Sequence, residues 1–412
     1  VSNDRRVRLV LASGLRREAT EALADRFAGP STAVVHHDLR EVADGVVRRR
    51  LRVGARDTTV VLDLAHGCVS CTLREDLLPL VRKLIATPAV ERIVLHLDPM
   101  VEPEPVCWAL HHALVGEHTI TDLADIEAVV TVLDERTWLD DATGDVQLAE
   151  HVPGVPSEDD RTLAQVAVGQ VEFADAVVLD GRADAWLGAR TAAVLDRLTP
   201  GAPRAYLDTL EQPELGLDAL LAAVPENARR GEVTDAHGPL LRGQPPLDAD
   251  CGVTLTVFRD RRPFHPERLH AAIDVLLDGV VRSRGRVWVA SQPDVALWLE
   301  SSGGGLRVGH AGVWLAAVDD ESWDRADADR RAKAAFDWDP RFGDRVQELV
   351  VIAHRADPED IVAALRSALL TDAEMADEDA WPHYPDPFGA WHADPCAETA
   401  DLGVPTTRKE ES

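Results

Sequence analysis

Val7-Arg8-Leu9-Val10-Leu11-Ala12, then Ser13-Gly14, then apolar residues at helical spacing from Glu18 to Phe27: this stretch decides the fold. A short apolar run reads as a strand buried on both faces, Ser-Gly as the turn leaving it, and the 3.6-residue period as a helix laid back on the sheet. The unit recurs along the chain. Strand-like runs at Thr32 to His36, Asp57 to Leu64, Val90 to Leu97, Ile126 to Leu133 and Ala176 to Leu179, and one closing at Tyr206, mark the sheet. Helical runs at Thr72 to Ala86, Pro103 to Val115, Asp160 to Phe173 and Leu215 to Val224 fall between them. Strands alternating with helices predict a parallel α/β sheet covered on both faces. Ligands of such sheets sit beyond the carboxyl ends of the strands, so the loops after Ala12, Leu64 and Leu97 are where chemistry is expected.

Residues 1–224 are thus expected to form an α/β domain. Residues 225–250 mix Asn, Arg, Gly, Pro and Asp without a period and read as a linker. Strict alternation from Gly252 to Phe258 restarts ordered structure, and residues 251–370 read as a smaller α+β domain. Its expected elements are a helix from Glu267 to Leu277, strands over Val280 to Ala290, Leu306 to His310, Val313 to Val318 and Arg345 to His354, and a helix from Pro358 to Leu370. Pro293 to Ser301 reads as a short helix stopped by Gly303-Gly304-Gly305. The acidic tail, 371–412, spaces Trp381, Tyr384, Phe388 and Trp391 among prolines and is expected either to drape over the body or to be flexible.

The formal charge of -29 makes a broad nucleic-acid surface an unsuitable expectation, because an acidic field repels phosphate backbones. No run of 18 apolar residues and no basic-then-apolar leader is present, so the expected location is cytoplasmic, without membrane insertion. Five cysteines with one close pair do not form a disulfide framework.

The turn after the first strand is where a phosphate-cradling Gly-x-x-x-x-Gly-Lys-Ser/Thr loop would stand. It reads Ser13-Gly14-Leu15-Arg16-Arg17-Glu18-Ala19-Thr20, with one glycine and no lysine before Lys83. Gly14, Arg16, Arg17 and Thr20 are the candidate anion-binding residues, with Glu18 opposing them at the helix N-terminus. The turn after Leu64 carries Gly67-Cys68-Val69-Ser70-Cys71-Thr72, two thiols three apart. They suit a soft divalent ion or a redox pair, and the spacing alone does not choose. Thr72 and Glu75 fit a capping box for the following helix. Zinc needs four ligands, and the nearby candidates are His36, His37, His66 and His96. Cys107, His111 and His112 share one helix, which reads as partly buried rather than as a site.

Gly67-Cys68-Val69-Ser70-Cys71-Thr72 with Asp76-Leu77 resembles the Gly-Cys-x-Cys-Cys-Thr…Asp-Leu signature of the CobW-like metallochaperone GTPases. Other stretches agree in order: Gln170-Val171-Glu172-Phe173-Ala174-Asp175, Leu198-Thr199-Pro200-Gly201-Ala202, Arg262-Pro263-Phe264-His265-Pro266, Arg284-Gly285-Arg286-Val287-Trp288, and Trp338-Asp339-Pro340 through Val350. The resemblance implies a P-loop-GTPase-like N-terminal domain and a CobW C-terminal-like domain. It tips the thiol turn towards zinc at Cys68 and Cys71, for which His66 and His37 are the candidate further ligands by their nearness to the turn, and it implies GTP with Mg as the family's cofactors. The departures are as informative. The phosphate loop is eroded, the guanine-reading Asn-Lys-x-Asp is Gly181-Arg182-Ala183-Asp184 with Asp184 alone retained, and the Glu-x-Ser/Thr-Gly stretch is His96-Leu97-Asp98-Pro99. Ser70 replaces the middle cysteine. The expectation is a zinc-binding chaperone or sensor without efficient GTP hydrolysis, acting on a protein client. Alternative expectations are an adaptor bringing a hibernation factor to ribosomes under zinc limitation, and an active GTP-hydrolysing metallochaperone.

Overall fold

The computed structural model describes residues 6–64, 69–212, 216–233 and 236–389. The first strand, β1 (Val7–Ser13), is central, as its uninterrupted apolar run requires. The others of its sheet are β2 (Thr32–Asp38), β3 (Val46–Val53), β4 (Arg56–Asp63), β5 (Arg92–His96), β6 (Ala124–Asp134), β7 (Ala176–Asp180) and β8 (Arg204–Tyr206). They are ordered β4-β3-β2-β5-β1-β6-β7-β8. The six strands from β2 to β8 in that order are parallel, and β3 and β4 form an antiparallel hairpin at one edge. Alternate residues face opposite ways. Leu9 and Leu11 pack with Ile93, Leu95, Val81 and Leu110 on one face. Val10 and Ala12 pack with Leu23, Val34, Val94 and Leu220 on the other.

The C-terminal sheet is antiparallel: β9 (Thr254–Asp260), β10 (Val280–Val287), β11 (Val295–Ser302), β12 (Gly305–Val313) and β13 (Gln347–Ala353), in the order β12-β11-β10-β13-β9. Helices Pro266–Ala272 and Pro358–Ala368 cover one face through Leu269, Ile361 and Leu365. The other face is turned to the N-terminal domain, where Leu255, Val281, Val350 and Ile352 share a core with Trp138, Val168, Val194 and Leu198. The tail is draped as far as Gly389: Trp381 is buried, 6.3 Å between ring centroids from Trp288.

Four local expectations are corrected. Residues 293–301 are not a helix but largely strand β11, hydrogen-bonded to β10 and β12 along its length. Gly303 adopts φ 50° in the β11–β12 hairpin, so the glycines are a turn and not a helix stop. Residues 313–318 are not a strand; after Val313 they hold a single 3-10 turn, Leu315–Ala317, whose first amides donate to Asp344. Thr72 does not cap: helix begins at Val69, and Thr72 is itself helical and buried. That helix runs through a wide π turn at Leu73–Leu77 into Leu78–Ile85. Pro79 has no amide to give the carbonyl four residues back, and the wider turn accommodates the missing donor. Strand β3 went unread because its sequence, Val46-Val47-Arg48-Arg49-Arg50-Leu51-Arg52-Val53, is dominated by arginine. Arg48, Arg49, Arg50 and Arg52 pair with Glu41, Asp76, Asp57 with Glu21, and Asp25.

Candidate functional site

The turn after β1 is packed from below. A Cβ on Gly14 would lie 2.4 Å from the Val132 carbonyl oxygen, so glycine lets the turn lie against β6. Thr20 is buried and its hydroxyl donates to the carbonyl of Arg16 at 3.0 Å. Helix Arg17–Arg26 leaves the turn with Arg16 at its N-cap, which supplies no side-chain cap. Gly14, Arg16, Arg17 and Thr20 therefore come together, but both arginines are engaged by carboxylates. Arg16 Nε lies 3.1 Å from Asp134 Oδ2, and its guanidinium also donates to Thr137. Arg17 lies 2.7 Å from the fully buried carboxylate of Asp98 and 3.6 Å from Asp38. Asp98 also accepts the Leu39 amide, which ties the turn to the loop after β2. The Arg136 hydrogen bond holds the Asp134 carboxyl below its usual range even though burial opposes it. Asp38 is lowered to about 2, Arg40 and Arg17 outweighing burial.

The second cluster lies at the ends of β2 and β5. His36 and His96 stack at 4.0 Å between centroids, 21° from parallel. Burial, then the neighbouring His36 ring and Arg17, lowers His96 to about 2. Burial lowers His36 as well, against its hydrogen bond to the His96 carbonyl. Both rings are neutral near pH 7. His37 faces elsewhere: its Nε2 is 2.8 Å from Asp76 Oδ2, on the π turn. An apolar cavity of about 30 Å³ lies between these elements, lined by His37, His96, Asp98, Val69 and Thr72 among others. His37 thus shares a cavity with residues that flank the thiol turn. His66 and Cys68 lie outside the described residues, as does the side chain of Cys71, whose backbone is in helix Val69–Thr72. Among the described residues, no three His, Cys, Asp or Glu side chains converge as a metal site.

Asp184 stands apart from the first turn, two strands along the sheet. It caps helix Ala185–Leu198, accepting from the amides of Trp186 and Leu187 at 2.9 and 3.0 Å. Sequence reading did not single out its neighbour Glu135, which accepts from the Ala183 amide and from the Tyr206 hydroxyl. Arg182 lies 3.8 Å above the Tyr206 ring. Asp134-Glu135 directly after an apolar strand was the available signal. Cys107 is buried in the core, and burial pushes its thiol well up, which leaves it unsuited to ligation.

Comparison with known proteins follows the same geography. The model of the CobW/HypB/UreG nucleotide-binding domain matches residues 20–200. That of the cobalamin synthesis protein cobW C-terminal domain matches residues 253–369. The first match begins at Thr20, beyond the Gly14–Arg17 turn. A Mycobacterium tuberculosis protein named Zinc chaperone Rv0106 is 45% identical over 94% of this chain and 91% of its own length. The Dictyostelium discoideum Zinc-regulated GTPase metalloprotein activator 1 is 27% identical over 82% of this chain and 72% of its own. The Zn(II)-bound YjiA GTPase of E. coli, a solved structure, aligns at a TM-score of 0.36 and 14% identity, covering 89% of this chain and 99% of that one. With both domain models matched in order and a relative of 45% identity over nearly its whole length, the chain belongs to the CobW family.

Proposed function

We propose that this chain is a zinc-binding CobW-like chaperone or sensor in zinc homeostasis that does not hydrolyse GTP efficiently. The names of the Mycobacterium and Dictyostelium relatives support the zinc part of this reading. The observation that carries the rest is the pairing of Arg16 with Asp134 and Arg17 with Asp98. A phosphate chain needs free donors and positive charge at this turn. Here the cations are neutralised by carboxylates that would repel the β- and γ-phosphates, and no lysine stands in the turn. The residues do not fit a bound nucleotide, and no nucleotide-driven step is assigned to them.

Zinc in this reading is cargo or signal. Cys68 and Cys71 are the thiolates, with His66 and His37 as further ligands. Asp76 on His37 Nε2 leaves Nδ1 as the nitrogen available to a metal, and a carboxylate behind a histidine raises its basicity as a ligand. The test is a competition titration of zinc against wild type and a Cys68→Ser, Cys71→Ser double variant, alongside equilibrium binding of GTP with Mg²⁺. A loss of zinc affinity of about 100-fold or more is expected of the double variant, since thiolates dominate such sites. Unchanged zinc affinity sinks the metal role of the turn. Micromolar GTP binding by wild type overturns the reading of Arg16 and Arg17.

A further inference from the structure

One edge of the N-terminal sheet is open. Strand β4 stands first in the order β4-β3-β2-β5-β1-β6-β7-β8, and among the described residues no strand lies beyond it. Every one of its residues but Leu62 is exposed, and Leu62 is half-buried. Val60 and Val61, which face opposite ways, are 41% and 51% exposed. The opposite edge of the same sheet, β8, is only three residues long. Natural edges are shortened, bulged, or broken by proline or lysine, because a free row of amides and carbonyls recruits another chain. None of these devices stands in the middle of β4: Thr58-Thr59-Val60-Val61 is uncharged and β-branched, and β3 pairs with β4 without a shift of register.

The hairpin fixes which backbone groups are free. A two-residue turn, Gly54-Ala55 with Gly54 at φ 55°, joins Val53 to Arg56. The pair flanking such a turn exchanges both hydrogen bonds, and bonded pairs recur at every second residue. Arg56, Thr58, Val60 and Leu62 therefore turn their amides to β3. The next in that series, Leu64, keeps the phase and donates to the Gly45 carbonyl at 2.8 Å. Asp57, Thr59, Val61 and Asp63 turn their amides and carbonyls outward, at a spacing of about 6.8 Å. None of these outward groups has a partner among the described residues. Free donors and acceptors at that spacing suit an extended backbone rather than a compact ligand.

The charges at the two ends narrow the choice of occupant. Asp57 is paired with Arg50, whereas Arg56 at the hairpin end and Asp63 at the other have no ion-pair partner among the described residues. A second copy fits poorly. Antiparallel pairing of β4 with itself, in the phase the free amides require and centred anywhere from Thr59 to Val61, sets Asp57 opposite or diagonal to the other copy's Asp63. Each copy also brings a formal charge of -29. We propose that β4 is a docking edge for an extended segment of a partner protein, added antiparallel as a further strand, with a basic residue opposite Asp63 and an acidic one opposite Arg56. On the zinc-chaperone reading, on which this identity rests, the partner is the protein that takes up the zinc. Cys68 follows Asp63 by five residues, at most about 18 Å of chain, so the segment is seated beside the thiol turn. The strand addition itself needs no metal.

The test uses the full chain in chelator and a labelled peptide, Lys-Val-Thr-Val-Thr-Val-Thr-Glu, with both ends blocked. Its valine amides are N-methylated, which closes one edge and keeps the peptide from stacking on itself. Fluorescence anisotropy should show saturable binding with a Kd below about 100 μM. Methylating the threonine amides instead closes the edge that faces β4 and should abolish binding. Thr59→Pro removes an outward amide without touching the β3 ladder, and should weaken binding about tenfold or more with an unchanged unfolding midpoint. The double variant Arg56→Glu, Asp63→Lys should weaken it about tenfold, and exchanging Lys and Glu in the peptide should restore it. Cys68→Ser, Cys71→Ser should leave it unchanged, so that a failed zinc site and a failed docking edge are told apart. No saturable binding up to about 1 mM, equal binding of the two methylated peptides, or full affinity in Thr59→Pro overturns the proposal. So does a dimer in sedimentation that Thr59→Pro dissolves, since the occupant is then a second copy.

Discussion

At the scale of single residues, the first turn shows how one pattern can support two chemistries. Arg16 and Arg17 at a helix start after a buried strand read as an anion site, and they do hold anions, but those of Asp134, Asp98 and Asp38. Those partners stand at the carboxyl ends of β2 and β6 and just beyond β5, tens of residues away, and nothing in the local sequence names them. His96 likewise read as a candidate ligand, while its stacking on His36 depended on the parallel register of β2 with β5, where the two residues are paired. That burial has a consequence for pH. His96 titrates near 2 in the fold, while in the unfolded chain it titrates near its ordinary value of about 6.5. The unfolded state therefore binds more protons than the folded state between these limits, so the stability His96 confers is fully present above about pH 6.5 and lost as the pH falls below it. The zinc-free wild type should lose about 2 kcal/mol more than His96→Gln between pH 7 and pH 5 in urea unfolding. Equal losses for the two proteins would show that His96 is accessible to protons in the fold.

Among the elements, legibility followed burial pattern. Strands buried on both faces, such as β1, β5 and β7, were read almost to the residue because apolar runs leave little choice. Strand β3 was hidden by its arginines, and β11 was misread because Val-Ala-Leu-Trp-Leu-Glu after a proline suits a helix as well as a strand. Pairing on both sides, with β10 and β12, decided for strand. The thiol turn was legible as a motif, and the capping box drawn for it was not, because Pro79 acts seven residues later through the helix register. Gly285 of β10 shows how tightly the C-terminal sheet is built. A Cβ there would lie 1.9 Å from the Glu348 carbonyl oxygen of β13, and backbone on both strands is fixed by pairing. Gly285→Ala should cost about 2–3 kcal/mol of stability, the range of overpacked cores, read as a lower urea midpoint with an unchanged slope. A neutral result would mean that the β10–β13 pair can slide apart locally.

Over the whole molecule, the two sheets are joined by a shared apolar core and by polar contacts that sequence could not announce, two of them buried more deeply than the surface pair of Arg355 with Asp140. The triglycine hairpin presses its tip onto the N-terminal domain: the Gly304 amide donates to the Gly144 carbonyl at 2.9 Å, and a Cβ on Gly305 would meet Thr162 Oγ1 at 2.5 Å. Glu172, at the end of helix Leu163–Glu172, reaches across to Arg282 and Arg284 on β10. Burial acts to raise the Glu172 carboxyl, yet the two guanidinium groups prevail and hold it below its usual range, so it crosses the interface as a charge. Removing one partner of such a buried set leaves the others uncompensated, a loss of about 3–5 kcal/mol. That loss falls on the interface and not on either sheet. Glu172→Ala should therefore split thermal unfolding into two calorimetric transitions, because each domain keeps its own core while their coupling weakens. Gly305→Val, which wedges the hairpin tip off Thr162 without touching a charge, should split it in the same way. If both variants unfold in one transition at the wild-type midpoint, the apolar contacts of Val281, Val350 and Ile352 with Val168 and Leu198 suffice to couple the domains, and the salt bridges of Glu172 are then dispensable to the joint.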